Sequence, residues 1–305
     1  MTRPVTDQLH TLRDYIRYAC SEMYRHPVWL GHGTDSVWDE AVHLVLGVLS
    51  LPWDIDPAVL DARLTEEEKL RVADALERRI QAREPLPYIL GEAWFAGMPF
   101  EVNRHVLIPR SPIAELLEHG LYPWLENVEA EPDEPLRILD MCCGSGCIGI
   151  AAARYFPEAE VTLADISPEA LEVARRNVAR HSMEDRIEVV QSDLFDQLEG
   201  TWHVILTNPP YVDAEDMADL PPEYRHEPEL ALAAGEDGLD LVRRILKEAP
   251  RRLNKGGFLV CEVGNSMAAT MNAWPDLLLT WPEFENGGHG VFVVDRDTLA
   301  DYTFD

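Results

Sequence analysis

The stretch Arg137-Ile138-Leu139-Asp140-Met141-Cys142-Cys143-Gly144-Ser145-Gly146, followed by Cys147-Ile148-Gly149-Ile150-Ala151-Ala152-Ala153-Arg154, decides the fold. A short apolar run reads as a buried strand, the glycines as a tight turn, and the Ile- and Ala-rich run as a helix. Outward from this unit the same alternation repeats. Val161-Thr162-Leu163-Ala164 is a second strand ending at Asp165, and Ser167-Pro168 opens a helix with a capping side chain and a proline at its first position. Residues 187–191 form a third strand and 203–206 a fourth. A helix over 239–253 stops before Lys255-Gly256-Gly257, and 258–263 make a fifth strand. The Asn286-Gly287-Gly288 turn ahead of 291–294 indicates a terminal strand pair. Such alternation predicts an α/β fold: a Rossmann-like, doubly wound and mostly parallel sheet with an antiparallel terminal strand.

Upstream the pattern changes. Residues 8–84 read as helical, with apolar positions at helical spacing in Leu9, Leu12, Ile16 and Ala19 and again in Leu70, Ala73, Leu76 and Ile80. Thr65 with Glu66, Glu67 and Glu68 is a helix start with a capping box, and Pro85 and Pro87 end that helix. The segment 94–109 is rich in β-formers, with Gly97-Met98-Pro99 and Asn103-Arg104 as turns, and reads as a hairpin. The expected organisation is a small all-helical domain over 1–88, a β-hairpin linker over 89–112 and the α/β domain over 113–305. The acidic stretch 126–135 is a solvated loop.

Composition narrows the function. The 305 residues carry 55 acids against 26 bases, a net charge of −29. That field repels a phosphate backbone, so direct nucleic-acid binding is not expected, and it favours encounter with a basic partner. A proteome-wide acidic bias accounts for the same excess. No secretory signal is visible, and the run 41–53 is too short and too polar for a membrane span. Five cysteines, three of them in one short loop, suit a reduced, cytoplasmic compartment, and no second knuckle completes a zinc site.

Candidate site residues fall at the carboxyl ends of successive strands, where ligands bind in doubly wound sheets. Gly144 and Gly146 allow a backbone to approach a ligand closely, with Cys142 and Ser145 beside them. Asp140 stands at the end of the first strand, and Asp165 at the end of the second is placed to accept from a ribose diol, with Ile166 next to it. Asp193, in Ser192-Asp193-Leu194-Phe195, is placed to accept from an adenine amino group, with Leu194 packing on the ring. Gly144, Gly146 and Gly149 also fit dinucleotide spacing, so the loop alone leaves a nicotinamide cofactor open.

The fourth strand ends in Thr207-Asn208-Pro209-Pro210-Tyr211, which resembles the (D/N)-P-P-(Y/F) motif of methyltransferases that act on planar nitrogens. An amide nitrogen is a poor nucleophile because its lone pair is delocalised. Two acceptors, the Asn208 side-chain oxygen and the Pro209 carbonyl, can hold both N–H groups and aim the nitrogen at a methyl group. The prolines, Pro210 included, fix the loop, and Tyr211 offers a flat face.

Together with Tyr224-Arg225-His226-Glu227-Pro228-Glu229-Leu230 and Gly238-Leu239, these motifs resemble the protein N5-glutamine methyltransferases, the HemK-like family, over nearly the whole chain. The resemblance implies a class I methyltransferase sheet, S-adenosylmethionine as cofactor, no metal, and a helical domain that recognises the protein substrate. Ile108-Pro109-Arg110-Ser111-Pro112-Ile113 departs from the Ile-Pro-Arg-Pro-Glu-Thr of the release-factor branch. Trp29-Leu30-Gly31-His32-Gly33-Thr34-Asp35 and Trp38-Asp39-Glu40 resemble the PrmB branch, which implies a basic large-subunit ribosomal protein, L-three, as partner. Cys143 stands where Thr or another small residue is more usual. A release-factor enzyme and a DNA amino-methyltransferase are the alternatives, the latter lacking a basic face and a target-recognition domain. A non-catalytic cofactor-binding protein is a third, disfavoured by intact Asn208 and Tyr211.

Overall fold

The structure, a computed structural model, describes residues 7–129 and 134–304, so 130–133 of the acidic stretch lie outside the described residues. Contacts divide the chain into two compact units. One runs up to Ala93 and also takes in Pro221–His226; the other comprises Trp94–Leu220 and the chain from Glu227 onward.

The first unit is helical. Helices α1 (Leu12–Arg25), α2 (Val37–Val48), α3 (Glu66–Ile80) and α4 (Leu86–Leu90) are joined by loops and one 3-10 turn at Pro57–Asp61. The helical stretch expected over 8–84 is thus several helices, each starting on its own cap. Thr11 caps α1, Ser36 caps α2, and Thr65 with Glu68 forms the capping box of α3. Leu12, Ile16, Leu44, Val45, Val72 and Leu76 fill the core. Beside them Arg79 lies 1% exposed, its guanidinium donating to Glu40 at 2.6 Å, to the Trp29 carbonyl at 2.6 Å and to Glu223 at 3.3 Å. Glu223 is fully buried and also accepts from the Trp29 N–H at 2.8 Å, with Arg83 at 2.9 Å. The short Pro221–His226 segment is therefore fastened to the helical unit by buried charge, a placement that no local pattern in the sequence indicates.

The first unit ends within the hairpin strand β1 (Glu92–Phe95), after Ala93, and strand β2 (Met98–Glu101) belongs to the second. Their turn is Ala96-Gly97, with φ of 48° and 70°, and not the Gly97-Met98-Pro99 read from the sequence. Met98 and Pro99 already belong to β2, because Ala96 and Gly97 supply the two positive φ angles that a type I′ hairpin turn needs. Six strands then form one sheet in the order β5-β4-β3-β6-β7-β8: β3 (Arg137–Met141), β4 (Glu160–Asp165), β5 (Ile187–Gln191), β6 (Trp202–Thr207), β7 (Leu253–Glu262) and β8 (Val291–Asp295). All neighbours are parallel except β7 and β8. Alternate residues feed two cores, Ile138, Val204 and Leu206 on one face and Leu139, Met141 and Ile205 on the other. The strand order reverses between β3 and β6, and a ligand crevice belongs beyond their carboxyl ends. No helix among the described residues is long and apolar enough to cross a membrane.

Candidate active site

The loop after β3 is built from left-handed backbone: Cys142, Gly144 and Gly146 have φ of 59°, 53° and 78°. A Cβ on Gly144 would meet nothing within 4 Å, so this face of the loop is open to a ligand. Gly146 caps the next helix, α5 (Cys147–Tyr155 in this unit). The third glycine, Gly149, is set by packing, since a Cβ there would lie 2.2 Å from a Leu163 methyl and 2.9 Å from the Asp140 Cβ.

Asp140 is fully buried beneath this loop. Its Oδ2 accepts from the Gly149 N–H at 2.7 Å, while Oδ1 has no hydrogen-bond partner among the described residues. Burial pushes its carboxyl up to about 8, against the lowering effect of the Gly149 bond. Asp165 holds the loop from the next strand. Its Oδ2 accepts from the Gly144 N–H at 2.8 Å and its Oδ1 from the Ser167 N–H at 2.9 Å, and burial nonetheless raises its carboxyl above the usual range. Ile166, 47% exposed, follows it.

Asp193 lies beyond β5, paired at 2.9 Å with Arg244 on the long helix Asp240–Arg252. Leu194 has φ of 50°, and its carbonyl accepts from the Ser192 hydroxyl at 2.7 Å, which closes this turn. Every residue of β6 is buried, and the Thr207 hydroxyl donates to the Met141 carbonyl at 2.8 Å, tying the ends of β3 and β6 together. Asn208 follows at once. Its Oδ1 is buried with no hydrogen-bond partner among the described residues.

Pro209 and Pro210 are buried. The Tyr211 carbonyl accepts from the Ser266 hydroxyl at 2.7 Å, and its own hydroxyl donates to Glu262 Oε1 at 3.2 Å. Gly264 leaves room for the ring, since a Cβ there would stand 2.4 Å from Tyr211 Cε2.

A cavity of about 280 Å³ opens among these elements. Of the residues expected from sequence, Cys142, Gly144, Ser145, Asp165, Ile166, Asp193, Leu194, Asn208 and Pro210 line it. Asp140, Gly146, Pro209 and Tyr211 do not line it. Asp140 departs furthest from the sequence reading: its side chain points under the loop and buttresses it. Sequence reasoning missed Arg110, Ser111 and Arg244 on the cavity wall, because each comes from a distant segment. It also missed Asn177, wholly buried, whose side chain donates to the Ser145 and Glu101 carbonyls at 3.0 Å each and accepts from the Glu101 N–H at 2.7 Å. All five cysteines are free, and burial pushes the Cys147 thiol up to about 12. Among the described residues no group of three or more His, Cys, Asp or Glu side chains is placed to hold a metal ion.

The arrangement offers a backbone cradle, two carboxylates at strand ends and an unsatisfied amide oxygen, in a crevice with apolar walls. Residues 121–220 match the family model described as methyltransferase small domain. The chain is 48% identical over 299 residues to a ribosomal protein uL3 glutamine methyltransferase of Francisella tularensis subsp. tularensis, covering 98% of this chain and 94% of that one. It is equally 48% identical over 293 residues to a protein of the same name from Bordetella pertussis, covering 96% of this chain and 97% of that one.

Proposed function

Because this chain belongs to the ribosomal protein uL3 glutamine methyltransferase family, we propose that it methylates N5 of a glutamine side chain in ribosomal protein uL3. It is an S-adenosylmethionine-dependent methyltransferase. The observation that carries the reading is the Asn208 side-chain oxygen, buried and unpartnered among the described residues, on the wall of the cavity at the end of β6. A buried acceptor left unpaired is costly unless a ligand uses it.

S-adenosylmethionine supplies an electrophilic methyl group on a sulfonium. The residues present fit it: the open face of Gly144 admits the chain of the donor near the backbone of Cys142, Ser145 and Gly146, and Asp140 supports that loop from below. Asp165 accepts from the ribose hydroxyls. Ile166 and Leu194 pack on the adenine, and Asp193 accepts from its amino group. Asn208 Oδ1 and the Pro209 carbonyl each accept one N–H of the glutamine amide. With both hydrogens held, the nitrogen lone pair is turned toward the methyl group, a gain of orientation and electrostatics. Pro210 and Tyr211 keep these two acceptors in place. No base is required, because the amide proton becomes acidic once the methyl group has moved.

The substrate is a basic ribosomal protein captured by an acidic enzyme in the cytoplasm, and the net charge of −29 disfavours direct contact with nucleic acid. The test is incubation with labelled S-adenosylmethionine and a mixture of ribosomal proteins, release factors and DNA, with the labelled product mapped by mass. Label on a uL3 glutamine is the expected result. Label confined to release factors or DNA overturns the reading.

A further inference from the structure

Glu262 closes β7 with its carboxyl buried beneath the Asn208-Pro209-Pro210-Tyr211 loop. It is absent from the cavity wall, yet both of its oxygens are engaged. Oε1 accepts from the Tyr211 hydroxyl at 3.2 Å, and Oε2 accepts from the Ser111 hydroxyl at 2.6 Å. Ser111 follows Arg110, whose guanidinium donates to the buried Glu227 at 2.8 and 3.1 Å. Tyr211 thus stands between two restraints: Ser266 holds its carbonyl, and Glu262 holds its far end. The ring itself is backed by Gly264, where any side chain would collide with it.

We propose that Glu262 is a positioning residue for methyl transfer, acting through the Tyr211 hydroxyl, with Ser111 orienting its carboxyl. The assignment rests on the glutamine-methylating role proposed above for the Asn208–Tyr211 loop. A purely apolar contact would hold the ring's plane but not its rotation about the loop, whereas a hydrogen bond at the hydroxyl fixes the end farthest from the backbone. The 3.2 Å separation is long for an O–H···O bond and has room to tighten in the substrate complex.

The carboxyl's ionisation makes the restraint readable. Burial raises Glu262 to about 7, against the lowering effects of Ser111, Tyr211 and Arg110 in that order. The groups facing it are those three and Cys261 on its own strand, while β8 places apolar Val291 opposite it in register. The ionised carboxylate accepts from both hydroxyls at once. The protonated form donates through one oxygen, so one of the two hydroxyls turns round, and its other oxygen is a weaker acceptor than a carboxylate; by either route the restraint on Tyr211 slackens. Transfer therefore falls as pH drops through about 7.

Two measurements test this on the full-length protein. Without substrate, the Tyr211 ring-carbon resonance in a ¹³C-tyrosine-labelled sample, identified by its loss in Tyr211→Phe, is followed from pH 5 to pH 9. It moves with a midpoint near 7 in the wild type and is flat in Glu262→Gln. In single turnover on uL3, Glu262→Gln lowers the rate about tenfold, with the KM for S-adenosylmethionine within about twofold, and removes the acidic limb of the pH profile. Ser111→Ala, which keeps the titrating group but takes away a bond to its ionised form, moves that limb to higher pH. A Tyr211 resonance that does not titrate, or a Glu262→Gln enzyme with wild-type rate and limb, overturns the assignment. A wild type inert toward uL3 overturns the substrate reading alone, and the resonance then decides the positioning role.

Discussion

Replacing Asn208 by Ala sets stability against function in one residue. In the resting protein Oδ1 of Asn208 is buried without a partner among the described residues, and an acceptor in that state costs about 1–3 kcal/mol. The substitution removes this cost. Against it stands the lost packing of a three-atom carboxamide. That loss is small here, because Asn208 is half-buried on the wall of an existing 280 Å³ cavity and leaves no new closed void. The net expectation is a gain of about 0.5–1.5 kcal/mol, which is a rise of about 1–5 °C in melting temperature for a chain of this size.

The effect on catalysis has the opposite sign. Losing one of the two acceptors proposed to aim the nitrogen compares with removing one oxyanion-hole donor, which lowers kcat about 10²–10³-fold. Asn208→Asp keeps an acceptor oxygen at the same place and retains measurable transfer. The assay is ligand-free thermal unfolding by circular dichroism, paired with single-turnover methylation of uL3. A ligand-free melting temperature that falls by more than about 2 °C would refute the reasoning, since it would mean the amide is already satisfied. So would a single-turnover rate within about threefold of wild type.

Three further outcomes are expected. Glu223→Ala removes a buried acceptor shared by Arg79, the part-exposed Arg83 and the Trp29 N–H, and because Arg79 keeps Glu40 the first unit loses about 1–3 kcal/mol in urea denaturation. Asp193→Ala weakens S-adenosylmethionine binding about tenfold by calorimetry but leaves the unfolding midpoint unchanged, because its ion pair with Arg244 is about 40% exposed on both sides. Asp140 has its folded-state carboxyl raised from 3.8 to about 8, so the stability it contributes is full below about 4 and is lost as pH rises toward about 8. Asp140→Asn, which can still accept from Gly149, should therefore gain on the wild type between pH 5 and pH 9, and parallel unfolding curves for both proteins at those two pH values check the sign.

What the sequence discloses is what is local. The strand–loop–helix unit at 137–155 and the Asn208–Tyr211 loop are legible because apolar runs, glycines and prolines act within a few residues of themselves. Hidden from it is which way a side chain turns at a strand's end. Asp140 and Asp165 look alike as acids after apolar strands, yet one lies under the loop and the other lines the cavity. Pairings across long separations are equally silent. Ser111 meets Glu262 and Asn177 meets Glu101 only once the sheet and its helices are assembled. The stretch 224–230 reads as one motif, but the chain divides between His226 and Glu227: the first part belongs to the helical unit and the second reaches Arg110 in the other. Ser111, one of the residues that depart from the release-factor pattern, acquires a physical meaning only here, as a donor that proline could not supply.

The acids of the site show why residue type alone is a poor guide to role. Asp140, sealed from water with one backbone donor, is driven toward its neutral form and serves as a strut. Asp165, with a backbone donor on each oxygen, is oriented to face the cavity despite burial. Asp193 remains half-exposed and shares its charge with Arg244. Burial raises the Glu262 carboxyl to about 7, against the lowering effect of two hydroxyls and a neighbouring arginine. Burial raises Asp140, Asp165 and Glu262 against different sets of hydrogen-bond donors, whereas Asp193 stays at the surface, so similar groups meet different environments. A net charge of −29 consequently says little about the charge inside the crevice. Burial pushes two of these four carboxyls up to about 8 and about 7, so they carry less charge near neutrality than their number suggests.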